Sequence, residues 1–353
     1  MGSSGVLRRP AVPPPVRIRR NIKNLADNDP IVVFYGKAIA AMRKIPLKES
    51  SSWRYQAAIH DYPPRNPPPG SPDRRPFDER RRDEDPFFSP GDVFPSDEAT
   101  FWRQCQHQSW FFLPWHRVYL HHFEKIIIST IAQMEGAPKD WALPYWNWDA
   151  PEGPGRLPTA LRGADGSANP LFVGRYTTAR GAQAEGRDPR ANRGQQFAFG
   201  PQLDIRTCLT QPNFQGTGAS GEFGGPPVRR HDQFDRVDPL LDGVGTLEGT
   251  PHGSMHMAVG SPPLAFMRSF TRAPLDPVFW LHHCNVDRLW EVWIQRDPAH
   301  VNPTDPAWLN EVFKFHDATG GNGDMTPRQV LNTRTPPLSY EYDDTSDPLA
   351  AGP

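Results

Sequence analysis

The stretch HQSWFFLPWHRVYLHHFEK, residues 107–125, sets four histidines among aromatic side chains. Imidazoles so placed can hold a metal, move protons or simply pack, and their spacing separates these roles. His107 and His116 lie nine residues apart. On one continuous helix that is about 900°, so the two would point to opposite faces. Pro114 removes the difficulty, because proline breaks a helix interior but suits a first turn. His107 is therefore expected in an extended lead-in, and His116 in the first turn of a helix. His116 then shares the stripe of Leu120, Phe123 and Ile127, at i+4, i+7 and i+11. His121 and His122 fall about 140° and 120° to either side, and are expected at the surface.

In HGSMH, His252 and His256 stand at i and i+4, one helical turn apart, so both can reach one ion. Zinc peptidases of the HEXXH type share the spacing but need a glutamate inside the motif. Gly-Ser-Met supplies none here. In LHHCNVDRLW, His283 precedes Asp287 by one turn, a position from which a carboxylate can support an imidazole. His282 points about 100° away and is the poorer ligand, better placed behind the site. His60, ending the apolar run WRYQAAIH, reads by itself as a core or capping histidine. Three imidazoles in the first half (60, 107, 116) and three in the second (252, 256, 283) form an all-nitrogen donor set. Such a set suits copper, zinc, nickel or iron alike.

The elements that must position them sit in an unusual background. The chain has 353 residues with 42 prolines and 29 glycines, so much of it must be loop laid over a smaller regular core. Asp29-Pro30 reads as an N-cap and first helical position for IVVFYGKAIAAMRKI. SSWRYQAAIHDY (51–62) is a shorter helix, and DPVFWLHHCNVDRLWEVWIQ (276–295) an amphipathic one. The proline- and charge-rich span from Pro63 to about Pro95 is expected to be a surface loop. The glycine-rich region 150–240 is expected to wrap the core with some short strands. No composition break divides the chain. The expected organisation is a flexible segment 1–18, one domain over 19–345 and a tail at 346–353. Thirty-nine basic against 40 acidic residues give a formal charge of −1, with no global field for nucleic acid or an anionic membrane. No apolar run is long enough to span a bilayer. Three cysteines are too few for a disulfide scaffold. The N-terminal segment lacks the apolar stretch of a signal peptide, which leaves the compartment open.

Taken together, Cys105-Gln-His107, FLPWHRVYL, LPYWNWD, the His252/His256 pair and DPVFWLHHCNVDR resemble the type-3 copper proteins. That family comprises tyrosinases, catechol oxidases and molluscan-type haemocyanin units. The resemblance runs over about residues 20–342, including an arginine near the start and the Tyr340/Tyr342 pair near the end. It implies a mainly α fold: a four-helix-bundle core holding a dinuclear copper site, wrapped by long Pro/Gly-rich loops with a few short strands. It assigns one copper to His60, His107 and His116 and the other to His252, His256 and His283, with O2 as co-substrate. Cys105 matches the position where fungal and molluscan members form a thioether to the ligand histidine, here His107.

The same resemblance bears on substrate. Glu248 matches the family's water-holding glutamate, a base relay for a phenol. Tyrosinases often place Asn after the first ligand of the second copper, where this chain has Gly253. Met257 offers no charge to attract a carboxylated phenol. Phe270 falls where members carry a gate residue over the first copper, and Phe279 is expected to pack beside the ligand histidines. The expected activity is oxidation of catechols to o-quinones, extending to ortho-hydroxylation of small monophenols. A full tyrosinase is the alternative. A haemocyanin-like O2 carrier is the alternative of another class, but carriers add a shielding domain for which residues 343–353 leave no room. The expected partners are a small phenol or catechol and a copper-delivery protein, with no nucleic acid or membrane. The oligomeric state stays open.

Overall fold

The structure is a computed structural model that describes residues 15–62, 87–89, 91–105, 107–149, 155–163, 168–173, 204–216, 222–228, 243–260 and 266–350. Most of the 63–95 span and much of 150–240 thus lie outside the described residues. So does the first part of the segment 1–18, although Arg17 and Ile18 are in a strand.

The described chain is mainly helical. Strand β1 (Arg17–Arg19) precedes helices α1 (Pro30–Met42), α2 (Trp53–Asp61), the single turn α3 (Glu98–Phe101) and α4 (Phe112–Ile131). Then follow the single turn α5 (Arg206–Leu209), α6 (Ser254–Val259), α7 (Pro277–Arg296), the single turn α8 (Pro306–Leu309) and strand β2 (Tyr340–Tyr342). Helix starts follow local chemistry. Asp29 accepts the Ile31 amide ahead of Pro30, and Asp276 accepts the Val278 amide ahead of Pro277. In both, the side chain satisfies an orphan donor while proline fills a position whose N–H has no intrahelical partner.

Helix α4 packs against both α1 and α7. Trp280 of α7 stacks on Phe123 of α4, with ring centroids 3.5 Å apart and planes within 9°. Contrary to the amphipathic reading, α7 is buried on every side from Pro277 to Trp290. Its polar residues face protein, because the histidines line the site and Asp287 faces a buried ion cluster. The chain ends are tied by β1 and β2, which pair in parallel with Arg17 opposite Tyr340 and Arg19 opposite Tyr342. Among the described residues no helix is long and apolar enough to cross a membrane.

Candidate metal centre

His60 lies in the last turn of α2, and the lead-in expected for His107 is anchored there. The amides of Arg103, Gln104 and Cys105 donate to the carbonyls of Ala58, Ile59 and His60. These carbonyls belong to the last turn of the helix, where the Ile59 and His60 oxygens would otherwise lack a helical donor. The segment therefore runs along the end of α2 and brings His107 to His60, with ring centroids 5.1 Å apart. His116 stands one turn into α4, which begins at Phe112, with Pro114 inside the first turn as expected. Its ring lies 5.7 Å from that of His60 and 6.0 Å from that of His107.

The second cluster is built differently. His252 sits in an irregular π-type turn, Glu248–Gly253, and His256 in α6. Their rings are 4.7 Å apart. His283 of α7 completes the group at 4.9 Å from His252 and 5.5 Å from His256. The clusters face one another: His116 and His283 stack at 4.2 Å, with planes within 5°. The turn bearing Glu248 is packed close to the His107 loop, since the Gln108 amide donates to Glu248 Oε1 at 2.7 Å. Nearby, a Cβ on Gly225 (φ +110°) would lie 2.8 Å from the Ser109 carbonyl carbon. Only glycine fits that approach.

Backbone carbonyls orient the rings. Nδ1 of His60 donates to Phe270 O, that of His116 to Phe112 O, that of His252 to Glu248 O and that of His256 to Met267 O, at 2.7–2.9 Å. A carbonyl can only accept, so each of these rings keeps its lone pair on Nε2. Nε2 of His60 and of His252 is buried with no protein partner, and His256 Nε2 lies 3.3 Å from His283 Nε2. The imidazoles stay neutral: burial pushes His60 down to about 3 and His256 to about 4. His107, His116, His252 and His283 are held well below the ordinary value, first by burial and then by neighbouring histidines. Neutral, converging imidazoles, four of them with fixed tautomers and two of those with no protein partner on Nε2, are what borderline metal ions such as copper bind. In each cluster the candidate donor atoms, with Cys105 in the first and His282 in the second, lie within 4.8 Å of one another.

Other residues singled out from sequence take definite places. Phe279 packs on His283 at 4.3 Å and on His60 at 5.2 Å. Phe270 is 61% exposed, and its ring lies 4.8 Å from that of His107. Met257 is 46% exposed. Cys105 Sγ is buried, 3.8 Å from both ring nitrogens of His107 and 3.5 Å from His116 Nε2. Glu248 is buried, and Oε2 has no protein partner. Burial pushes its carboxyl up to about 8, against the pull of the Gln108 amide.

Two expectations are corrected. Asp287 does not hydrogen-bond His283. Its carboxylate accepts from Arg117 Nε, from the hydroxyls of Tyr340 and Tyr342, and from Arg19 Nη1. Asp287 shares the face of His283 but stands one turn farther along α7, where four buried donors converge on it. His121 and His122 are not at the surface but 6% and 5% exposed. The segment after α8 covers His122: Phe315 stacks on it, and Gly323 approaches so closely that a Cβ would lie 2.7 Å from His122 Cε1. The His121 ring packs edge-on to that of His122. Sequence reasoning also missed Trp148, whose indole reaches His282, and the carbonyls of Met267 and Phe270. These contacts span up to 210 residues of chain and leave no local pattern.

Comparison with known proteins agrees with this geometry. The model of the common central domain of tyrosinase matches residues 50–296, and that of the polyphenol oxidase middle domain matches residues 302–350. The chain belongs to the tyrosinase family, whose members are type-3 copper oxidoreductases. It is 28% identical over 340 residues to tyrosinase HcTyr1 of Hahella sp. (strain CCB-MM4), covering 93% of this chain and 63% of that one. It is 28% identical over 321 residues to the chloroplastic polyphenol oxidase of Malus domestica, covering 89% and 46%. Among solved structures, latent apple tyrosinase superposes with a TM-score of 0.63 at 26% identity, covering 96% of this chain and 65% of that one. The chain thus spans about half to two thirds of the length of these relatives.

Proposed function

We propose that this chain is a dicopper phenol oxidase that uses O2 to convert catechols to o-quinones. One copper is assigned to His60, His107 and His116, the other to His252, His256 and His283. The observation that carries the reading is the pair of facing three-imidazole clusters, with His116 stacked on His283 and four of the six rings fixed by backbone carbonyls. When bound, the copper pair supplies two-electron exchange: two catechols and one O2 give two quinones and two waters. We read α2, α4, α6 and α7 as the four-helix-bundle core, inside a single domain over residues 19–345. The proximity of Cys105 Sγ to His107 supports a thioether between them, which intact mass would show as a loss of two hydrogens.

The chain's own side chains act on the substrate. Glu248 holds Oε1 against the Gln108 amide and leaves Oε2 free, so that once ionised it accepts a phenolic proton, directly or through water. That free buried oxygen favours some hydroxylation of small monophenols beside catechol oxidation. Gly253 limits it, because no side chain there helps to orient the proton acceptor. A Cβ on Gly253 would meet only Glu248 O, at an ordinary 3.5 Å, so a larger residue has room. Gly253→Asn is expected to raise the p-cresol to 4-methylcatechol rate ratio by about tenfold. An unchanged ratio would remove Gly253 from the account.

Phe270 stands at the exposed edge of the His107 ring, where it narrows the approach to the first cluster. Phe270→Ala should raise kcat/KM for bulky catechols about tenfold over that for 4-methylcatechol. Its backbone carbonyl, the partner of His60, is untouched by the change. Met257 brings no charge to the rim, so carboxylated phenols should gain nothing over neutral ones. Oxygen uptake with p-cresol and 4-methylcatechol under identical conditions tests the assignment. Fast uptake with the catechol and slower, measurable uptake with the cresol is expected. Comparable uptake with both would make the chain a full tyrosinase.

A further inference from the structure

The WNWD segment has a role that the ligand assignment does not use. Trp148 is buried, and its indole Nε1–H donates to His282 Nδ1 at 3.1 Å. An indole nitrogen is a donor only, so His282 Nδ1 must be the acceptor. The single proton of the neutral ring then sits on Nε2. His282 is nevertheless in the midst of the second cluster. One of its ring nitrogens lies within 4.8 Å of those of His252, His256 and His283. Its ring lies 5.3 Å from that of His252, with planes within 13°. Four imidazoles crowd a place where the first cluster has three.

The hydrogen bonds sort them. His252 and His256 give their Nδ1 protons to carbonyls and keep a lone pair on Nε2. In His282, Nδ1 is occupied by the indole proton and Nε2 carries the ring proton. Whichever nitrogen is the nearer, neither has a lone pair to offer. We propose that Trp148 is a positioning residue that holds His282 in the non-ligating tautomer and so keeps a coordination position of the second metal ion open. An open position is what separates a catalytic ion from a structural one, because an exogenous ligand must reach it. The inference rests on the assignment of His252, His256 and His283 as ligands.

Two measurements test it. In metal-free wild-type protein, long-range 1H–15N spectra of 15N-histidine-labelled material read the tautomer of each ring. His282 should be protonated on Nε2, and protonation on Nδ1 would overturn the proposal whatever the variants do. In protein loaded with Co(II), the visible d–d bands read coordination. Trp148→Phe should shift the bands as His282 joins the second ion, and the Trp148→Phe/His282→Phe double variant should lose that shift. Bands identical in wild type and Trp148→Phe would overturn the proposal while leaving the metal centre standing. A wild-type chain that takes up no metal would overturn the ligand assignment, and the proposal with it.

Discussion

Asp287→Ala is expected to destabilise the fold by about 3–5 kcal/mol, the usual cost of stranding a buried charge by removing its partner. Asp287 is the acceptor on which Arg117, Arg19, Tyr340 and Tyr342 converge, and all five residues are buried. Arg19 and Arg17 are further tied to Glu124 of α4 at 2.9 and 3.0 Å. One carboxylate thus joins both chain ends to the helix that carries His282 and His283. Chemical denaturation of the metal-free protein measures the effect. A loss under about 1 kcal/mol, typical of an exposed pair, would show that the cluster does not hold the fold.

The same group sets an acid limit. Burial alone would raise the Asp287 pKa, but Arg117 and Arg19 hold it below the ordinary 3.8. A depressed folded-state pKa gives stability that is present above 3.8 and lost as pH falls through the folded value. Asp287→Ala should therefore flatten the acid end of the stability profile.

Glu248→Gln is expected to lower p-cresol oxidation by about 10²–10⁴-fold, the usual span for a lost general base. Oxidation of 4-methylcatechol should fall far less, and copper content should be unchanged. Equal losses with both substrates would show Glu248 to be structural. A second signature is independent of activity. Burial raises the Glu248 pKa from 4.5 to about 8 in the metal-free fold. The folded chain then keeps a proton that the unfolded chain releases, so stability falls as pH rises between those values. Wild-type Tm should drop relative to Glu248→Gln over that range.

Spacing and proline placement read the helices that carry His116 and His283, whereas His60 alone reads as a core or capping residue and joins the six-histidine set only through the family resemblance. Asp29-Pro30 and Asp276-Pro277 cap their helices as expected, and Pro114 falls in a first turn. The residues that aim the ligands were not accessible. Phe270 O and Met267 O come from a segment with no periodicity. Helical angle alone puts His121 and His122 at the surface, because it cannot anticipate the segment at Phe315 and Gly323 that covers His122. Asp287 lies on the helix as expected but is held by Arg117 of α4 and by Arg19, Tyr340 and Tyr342 near the two chain ends, partners that no local pattern reveals. Angle on a helix decides direction, whereas long-range packing decides what lies there.

The most direct test of the centre is copper content per chain after reconstitution and removal of loosely bound ions. Two ions are expected in wild-type protein, one in His283→Ala and one in His60→Ala. One ion in wild type, or two in either variant, would contradict the assignment of six histidines to a paired copper site.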